Sequence, residues 1–327
     1  LAYDFPPNTK FAAIHLCHCS AQGLPDVLLF NNGLSVHSSP VLNLTDMDKG
    51  RLGTDRAAAF EHSIALMASM PSQTAGILDA ESRQLEHLIN KLFYGLLMQG
   101  VPEVYYGIVA LGSKQGDREP WANRFEILAR YYRHPHVDLF HVTPDALRLA
   151  DTVVPGLITA FPGPTAADFA RVRRGVRSLE VAWRGERALD RIHMFVRALD
   201  GLMKLEQGAG EQGFVERIRM IASGQRVADI ARELYRLRSY NEHLSDWPSK
   251  LGYVKVAQRP EFISHRAFQA ELLAGEAYRT VLSDAALLQN FRTDVAIEAF
   301  WQGGAAVWTS KIDLDAHDSR FHFVADV

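Results

Sequence analysis

The sequence predicts an α+β protein: a mixed α/β unit over residues 1–160, an all-α helical bundle over 165–300 and a strand-like tail over 301–327. Three observations carry that prediction. Strand-like and helix-like segments are mixed in the first part, whereas in the second apolar residues recur at every third or fourth position. Between the two parts, Pro155, Pro162 and Pro164 crowd together with Gly156 and Gly163, a composition that closes one unit before another begins. At 327 residues the chain is long enough for two domains with separate cores.

Taken in order, "KFAAIHLCHC" and "DVLLFNN" have strand composition and are broken by "AQGLP" and "NNG". "ESRQLEHLINKLFYGLLMQG" is a helix, because Leu85, Leu88, Ile89, Leu92, Leu96 and Leu97 form one apolar face and Gly100 with Pro102 stops it. "VPEVYYGIVALGS" is another strand. "KQGDREPWANRF" and "YYRHPHVDLFHVTPD" are expected to be turns. In the second unit one helix is expected from about Glu186 to Lys204, with Leu189, Ile192, Val196, Leu199 and Met203 on its inner stripe. Another is expected from Val227 to Leu244, ended by Trp247 because Pro248 comes next. Two more are expected at 266–280 and 283–300. The tail "AAVWTSKIDLDAHDSRFHFVADV" alternates like a hairpin that is free to return to the first unit's sheet.

Composition excludes several classes. The formal net charge of −3 gives no overall attraction to nucleic acid or anionic lipid, so any electrostatic footprint has to be local. No apolar run reaches the roughly 18 residues that would span a membrane, so no membrane partner is expected. Cys17 and Cys19 are too close for an ordinary disulfide and too few for a stapled scaffold, which points to a reducing, cytoplasmic compartment. Glycine-rich phosphate loops, dinucleotide fingerprints and nucleophile elbows are absent from the sequence, so no cofactor is expected. Two clusters could be metal sites, His15 with Cys17 and Cys19, and His134 with His136, Asp138 and His141. Neither has a complete ligand pattern, and no metal is expected at either.

The strongest site candidate is "RLRSYNEH", where Arg238 is followed after four residues by His243. Residues five apart lie about 140° round a helix, so the pair cannot share one face and could converge only across a second helix or a second protomer. Arg238 and Glu242, four apart, can form an ion pair. His243 falls at the helix end, where the dipole favours a positively charged imidazole and so suits a proton donor or a simple cap. Asn241 interrupts the apolar seam and needs a polar partner. On the preceding helix His193 lies beside the apolar stripe, where it is either a core-edge residue or part of a cleft, with Arg197 one turn on. From Arg171 to Arg197 the chain carries eight arginines against three acids, which is either an anion-binding face or a solvated one.

The succession "DRIHMFVRALDGLMKL", "GFVERIRMIA" and "ARELYRLRSYNEHLSDW" resembles the HEPN superfamily (higher eukaryotes and prokaryotes nucleotide-binding), most closely its Apea-type branch, over about 165–300. The resemblance implies a metal-independent endoribonuclease in which Arg238 and His243 are catalytic, with Asn241, Glu242, His193 and Arg197 supporting RNA. It also implies a homodimer with a composite cleft, RNA (transfer RNA among the candidates) as partner, and a role in phage defence or stress response. Ser239 stands where catalytic relatives often carry Asn, Asp or His. A second reading, a non-catalytic module for dimerisation or for binding nucleotide or RNA, therefore stands beside the first.

Overall fold

The computed structural model describes residues 3–100, 106–128, 141–162, 167–205, 210–243, 247–303, 308 and 311–315. The fold is α+β, with an antiparallel sheet in the first part and helices in the second. The chain divides into two compact units, one formed by residues 1–132 with 137–155 and the other by 133–136 with 156–327.

The first unit is built on β1 (Thr9–Cys17), β2 (Ser20–Ala21), β3 (Val27–Leu29), β4 (Leu34–His37), β5 (Ile64–Pro71), β6 (Tyr106–Lys114), β7 (Trp121–Leu128) and β8 (His141–Val142). Six of these form one sheet in the order β3-β4-β5-β1-β6-β7, every neighbouring pair antiparallel. All nine residues of the central strand β1 are buried, as a strand covered on both faces requires. Its odd-numbered residues Phe11, Ala13 and Cys17 join a cluster with Leu52 and Phe60 from the short helices α1 (Asp46–Leu52) and α2 (Thr54–Phe60). The other face meets α3 (Ala80–Met98), which buries Leu85, Ile89, Leu92, Phe93, Leu96 and Leu97. Lys10, with its side chain out of solvent, reaches Glu81 at 2.8 Å and also pairs with Asp79, the N-cap of α3. The start of that helix is thereby pinned to the sheet.

Two sequence expectations fail in this unit. "WANRF" belongs to the strand β7, not to a turn; only the polar residues before it form the turn, and pairing with β6 holds Trp121 to Leu128 extended. The proline-rich stretch near 155 lies partly inside a helix, α4 (Pro144–Ala160), which begins in the first unit, continues past its last residue, Pro155, and buries Leu147, Ala150, Val153, Val154 and Leu157 at helical spacing. Apolar periodicity outweighs the proline there.

The second unit contains α5 (Ala170–Arg184), α6 (Ala188–Met203), α7 (Gly210–Ile221), α8 (Val227–Glu242), α9 (Trp247–Lys250), α10 (Arg259–Ser283), α11 (Ala285–Gln289) and α12 (Asp294–Gln302). Helix α6 packs against α5, α8, α10 and α12, and buries Ile192, Phe195, Val196, Leu199, Leu202 and Met203 among them. Buried charges within the bundle are paired: Arg191 with Glu271 at 2.5 Å and Arg266 with Glu233 at 2.6 Å. Helix α5 approaches α6 closely because Gly175 and Gly201 carry no side chain. A Cβ on Gly175 would overlap Tyr278 Oη, which donates to the Ala198 carbonyl at 2.9 Å.

Three helical boundaries differ from expectation. Helix α8 ends at Glu242 and His243 is its C-cap, while Pro248 lies in the first turn of α9, where a missing N–H costs nothing. The helix expected at 266–280 is longer, running from Arg259 with Pro260 in its first turn. The one expected at 283–300 is two helices: Asp284 caps α11 by accepting from the Ala286 and Leu287 N–H groups, and Thr293 restarts the chain by accepting from Ala296. Within the tail, β10 (Ile312–Asp313) pairs in parallel with β9 (Ala222–Ser223) of the helical unit rather than with the first unit's sheet. Asp315 fastens it by accepting from Gln225 N at 2.8 Å. Residues 316–327 lie outside the described residues.

Candidate functional site

Three helices of the second unit border an open cavity of about 580 Å³. That is within the few hundred to a thousand Å³ usual for ligand sites. Helix α5 supplies Arg171, Arg174 and Arg177, which at three-residue spacing stay on one side of the helix. Helix α6 supplies His193, Arg197 and Asp200, again on one stripe, and α8 supplies Arg238 and Glu242. Gly175 and Gly201 also line it, so the close approach that they permit between α5 and α6 brings the two polar stripes together.

Five arginines thus face two carboxylates. Asp200 lies deepest in this network. Its Oδ2 pairs with Arg238 Nη1 at 3.2 Å, and its carbonyl oxygen accepts from Arg171 Nη2 at 2.9 Å. Burial pushes the Asp200 carboxyl above its ordinary range, while Arg238 and Arg171 pull it back. Arg238 also reaches Glu242 at 3.6 Å, the i,i+4 pair expected from the sequence, and lies 5.5 Å over the Tyr235 ring. By contrast, Arg174, Arg177 and Arg197 form no salt bridge among the described residues. Several polar atoms here are out of solvent and lack a hydrogen-bond partner among the described residues: His193 Nδ1, Asp200 Oδ1, Arg171 Nε and Arg238 Nε. Such atoms cost about 1–3 kcal/mol each when left without a partner, a cost that a polar ligand or water in the cavity would relieve.

The structure separates the sequence's candidate pair. Arg238 lines the cavity; His243, exposed at the C-cap of α8, does not. Asn241 is half-buried on the helix between them. His193 and Arg197 are in the cavity with Arg238. The arginine run noted in the sequence supplies Arg171, Arg174 and Arg177; the residue that sequence reasoning did not single out is Asp200, whose partners Arg171 and Arg238 are distant in sequence.

His15, Cys17 and Cys19 do not group into a metal site among the described residues. His15 is fully buried, its Nδ1 3.1 Å from Ser63 Oγ, and its ring stacks on Phe60. Burial pushes the Cys17 thiol up to about 11, away from a reactive thiolate. Among the described residues no three His, Cys, Asp or Glu side chains are grouped to hold a metal, and no helix is long and apolar enough to cross a membrane. His134, His136 and Asp138 lie outside the described residues.

Fold and site together define an α+β chain whose helical unit carries an arginine-lined, anion-complementary cavity. No known family profile, curated protein or solved structure matches the chain.

Proposed function

We propose that the helical unit is a metal-independent endoribonuclease of HEPN type that acts as a homodimer, with Arg238 and His243 as its catalytic pair. One observation carries the reading: Arg238 stands in a cavity whose arginines outnumber its carboxylates and whose buried polar atoms lack partners among the described residues. A phosphodiester fits that electrostatic demand, since planar guanidinium groups bind phosphate oxygens with two parallel hydrogen bonds. RNA brings its own nucleophile. The 2′-oxygen attacks phosphorus, the bond from phosphorus to the 5′-oxygen breaks, and a 2′,3′-cyclic phosphate and a 5′-hydroxyl result. Arg238 stabilises the charge gathered on the phosphorane, and His243 of a second copy protonates the leaving oxygen. The exposure of His243 at the end of α8 supports that assignment, because a residue serving another protomer's cavity must be accessible.

A second reading rests on a different observation. Arg238 is already held by Asp200 and Glu242, as a purely structural arginine would be, which favours a binding module without catalysis.

The two readings part in one experiment. Incubated with transfer RNA and mixed RNA in EDTA, the protein is expected to yield cyclic-phosphate ends. Arg238→Ala and His243→Ala are each expected to lower the rate at least about 100-fold. Cleavage that survives both substitutions removes the mechanism, and retention of RNA without any cleavage favours the binding module.

A further inference from the structure

Transesterification of RNA needs two proton transfers, one from the attacking 2′-hydroxyl and one to the leaving 5′-oxygen, and His243 accounts for only the second. Four cavity residues other than the arginines could move a proton. Ser178 donates to the Arg174 carbonyl at 3.1 Å, Glu242 lies 3.6 Å from Arg238, and Asp200, although its Oδ1 lacks a partner among the described residues, is held through Oδ2 at 3.2 Å as the counter-ion of Arg238. His193 remains. Its Nδ1 is shielded from solvent and has no hydrogen-bond partner among the described residues, a cost that a merely structural histidine would avoid by bonding to a neighbour. We propose that His193 is the general base of the cavity, its Nε2, which unlike Nδ1 is not shut off from solvent, taking the proton of the 2′-hydroxyl as the bond from the 2′-oxygen to phosphorus forms. This rests on the ribonuclease reading above.

The layout of α6 supports the assignment. From His193 to Asp200 the helix rises about 10 Å, with Arg197 between them one turn from the histidine. The Arg238 guanidinium is held at the Asp200 end. A phosphate seated at Arg197 therefore has the imidazole on one side and Arg238 on the other, while Arg174 and Arg177 on the facing helix have no carboxylate partner among the described residues and are available to its oxygens. The proton accepted by His193 returns to solvent, and the 5′-oxygen receives its own from His243, so the step balances without metal or co-reactant.

The test uses the whole chain and RNA in EDTA. His193→Gln is expected to lower kcat at least about 100-fold with KM within about threefold of wild type, and to abolish the rising, acid-side limb of the pH–rate profile. His193→Ala is expected to regain activity with added imidazole. In NMR spectra of ring-labelled histidines, the His193 signal, identified by its loss in His193→Gln, is expected to move when a 2′-O-methyl oligoribonucleotide, which lacks the nucleophile, is added. If wild type cuts RNA and His193→Gln cuts as fast or keeps the rising limb, the base assignment falls and the ribonuclease stands. The same conclusion holds if wild type cuts and the His193 signal does not move. If wild type cuts nothing, the ribonuclease reading fails and the base assignment fails with it.

Discussion

At the scale of single residues, the same side chain does different work according to its surroundings, and histidine is the clearest case. His243 is exposed at a helix end, His193 lines a polar cavity, and His15 and His37 are buried inside the sheet unit. Burial lowers the last two from the ordinary value near 6.5 to about 3 for His15, with His37 adding repulsion, and to about 4 for His37. Both imidazoles are therefore neutral in the fold and free to take protons once the chain unfolds. Between about pH 6.5 and pH 4 the unfolded chain binds more protons, so stability is complete above that window and falls as pH falls through it. His15→Asn is expected to flatten the dependence of the urea midpoint on pH by about one proton, or ~1.4 kcal/mol per pH unit. The partners of His15, Ser63 and Phe60, were not legible in "KFAAIHLCHC", because a strand pattern gives alternation and not the elements that cover each face.

At the scale of elements, the long amphipathic helices α3, α6 and α8 were readable from spacing alone, since each must bury one stripe wherever it packs. Element ends were less so. Pro248 was expected to end α8 and instead begins α9, and Pro155 did not stop α4, because caps and packing outweigh single-residue preferences. The arginine-rich stretch shows how packing sorts a composition. Arg171, Arg174, Arg177 and Arg197 line the cavity, whereas Arg173 bonds the Ala160 carbonyl, Arg184 pairs with Glu180, and Arg191 is buried against Glu271. Tight approach of α5 to α6 is the feature that builds the cavity. Gly175→Ala, whose new methyl group would overlap Tyr278 Oη, is accordingly expected to cost about 1–3 kcal/mol in denaturant unfolding. Combining it with Tyr278→Phe, which removes that oxygen, should cost less than the sum of the two single substitutions; a simple sum would show that the contact does not limit the packing.

At the scale of the whole molecule, a chain with net charge −3 cannot draw in RNA by its overall field, so binding has to come from the local cluster of arginines. A slope of about −2 to −3 is expected for the logarithm of RNA affinity against the logarithm of salt concentration, with each of Arg174→Ala and Arg177→Ala reducing it by about 0.7. A slope near zero would mean that these arginines do not meet phosphate. The sequence by itself determined the α+β class, the main helices of the bundle, and the arginine excess of residues 171–197. All of these come from periodicity and composition, which constrain each element without reference to any other. Only the tertiary structure decided that the tail pairs with β9, that Asp200 holds Arg238, and that His193 shares the cavity while His243 stands outside it. Such juxtapositions join residues far apart along the chain, and a local pattern carries no information about which distant stripe will pack against it.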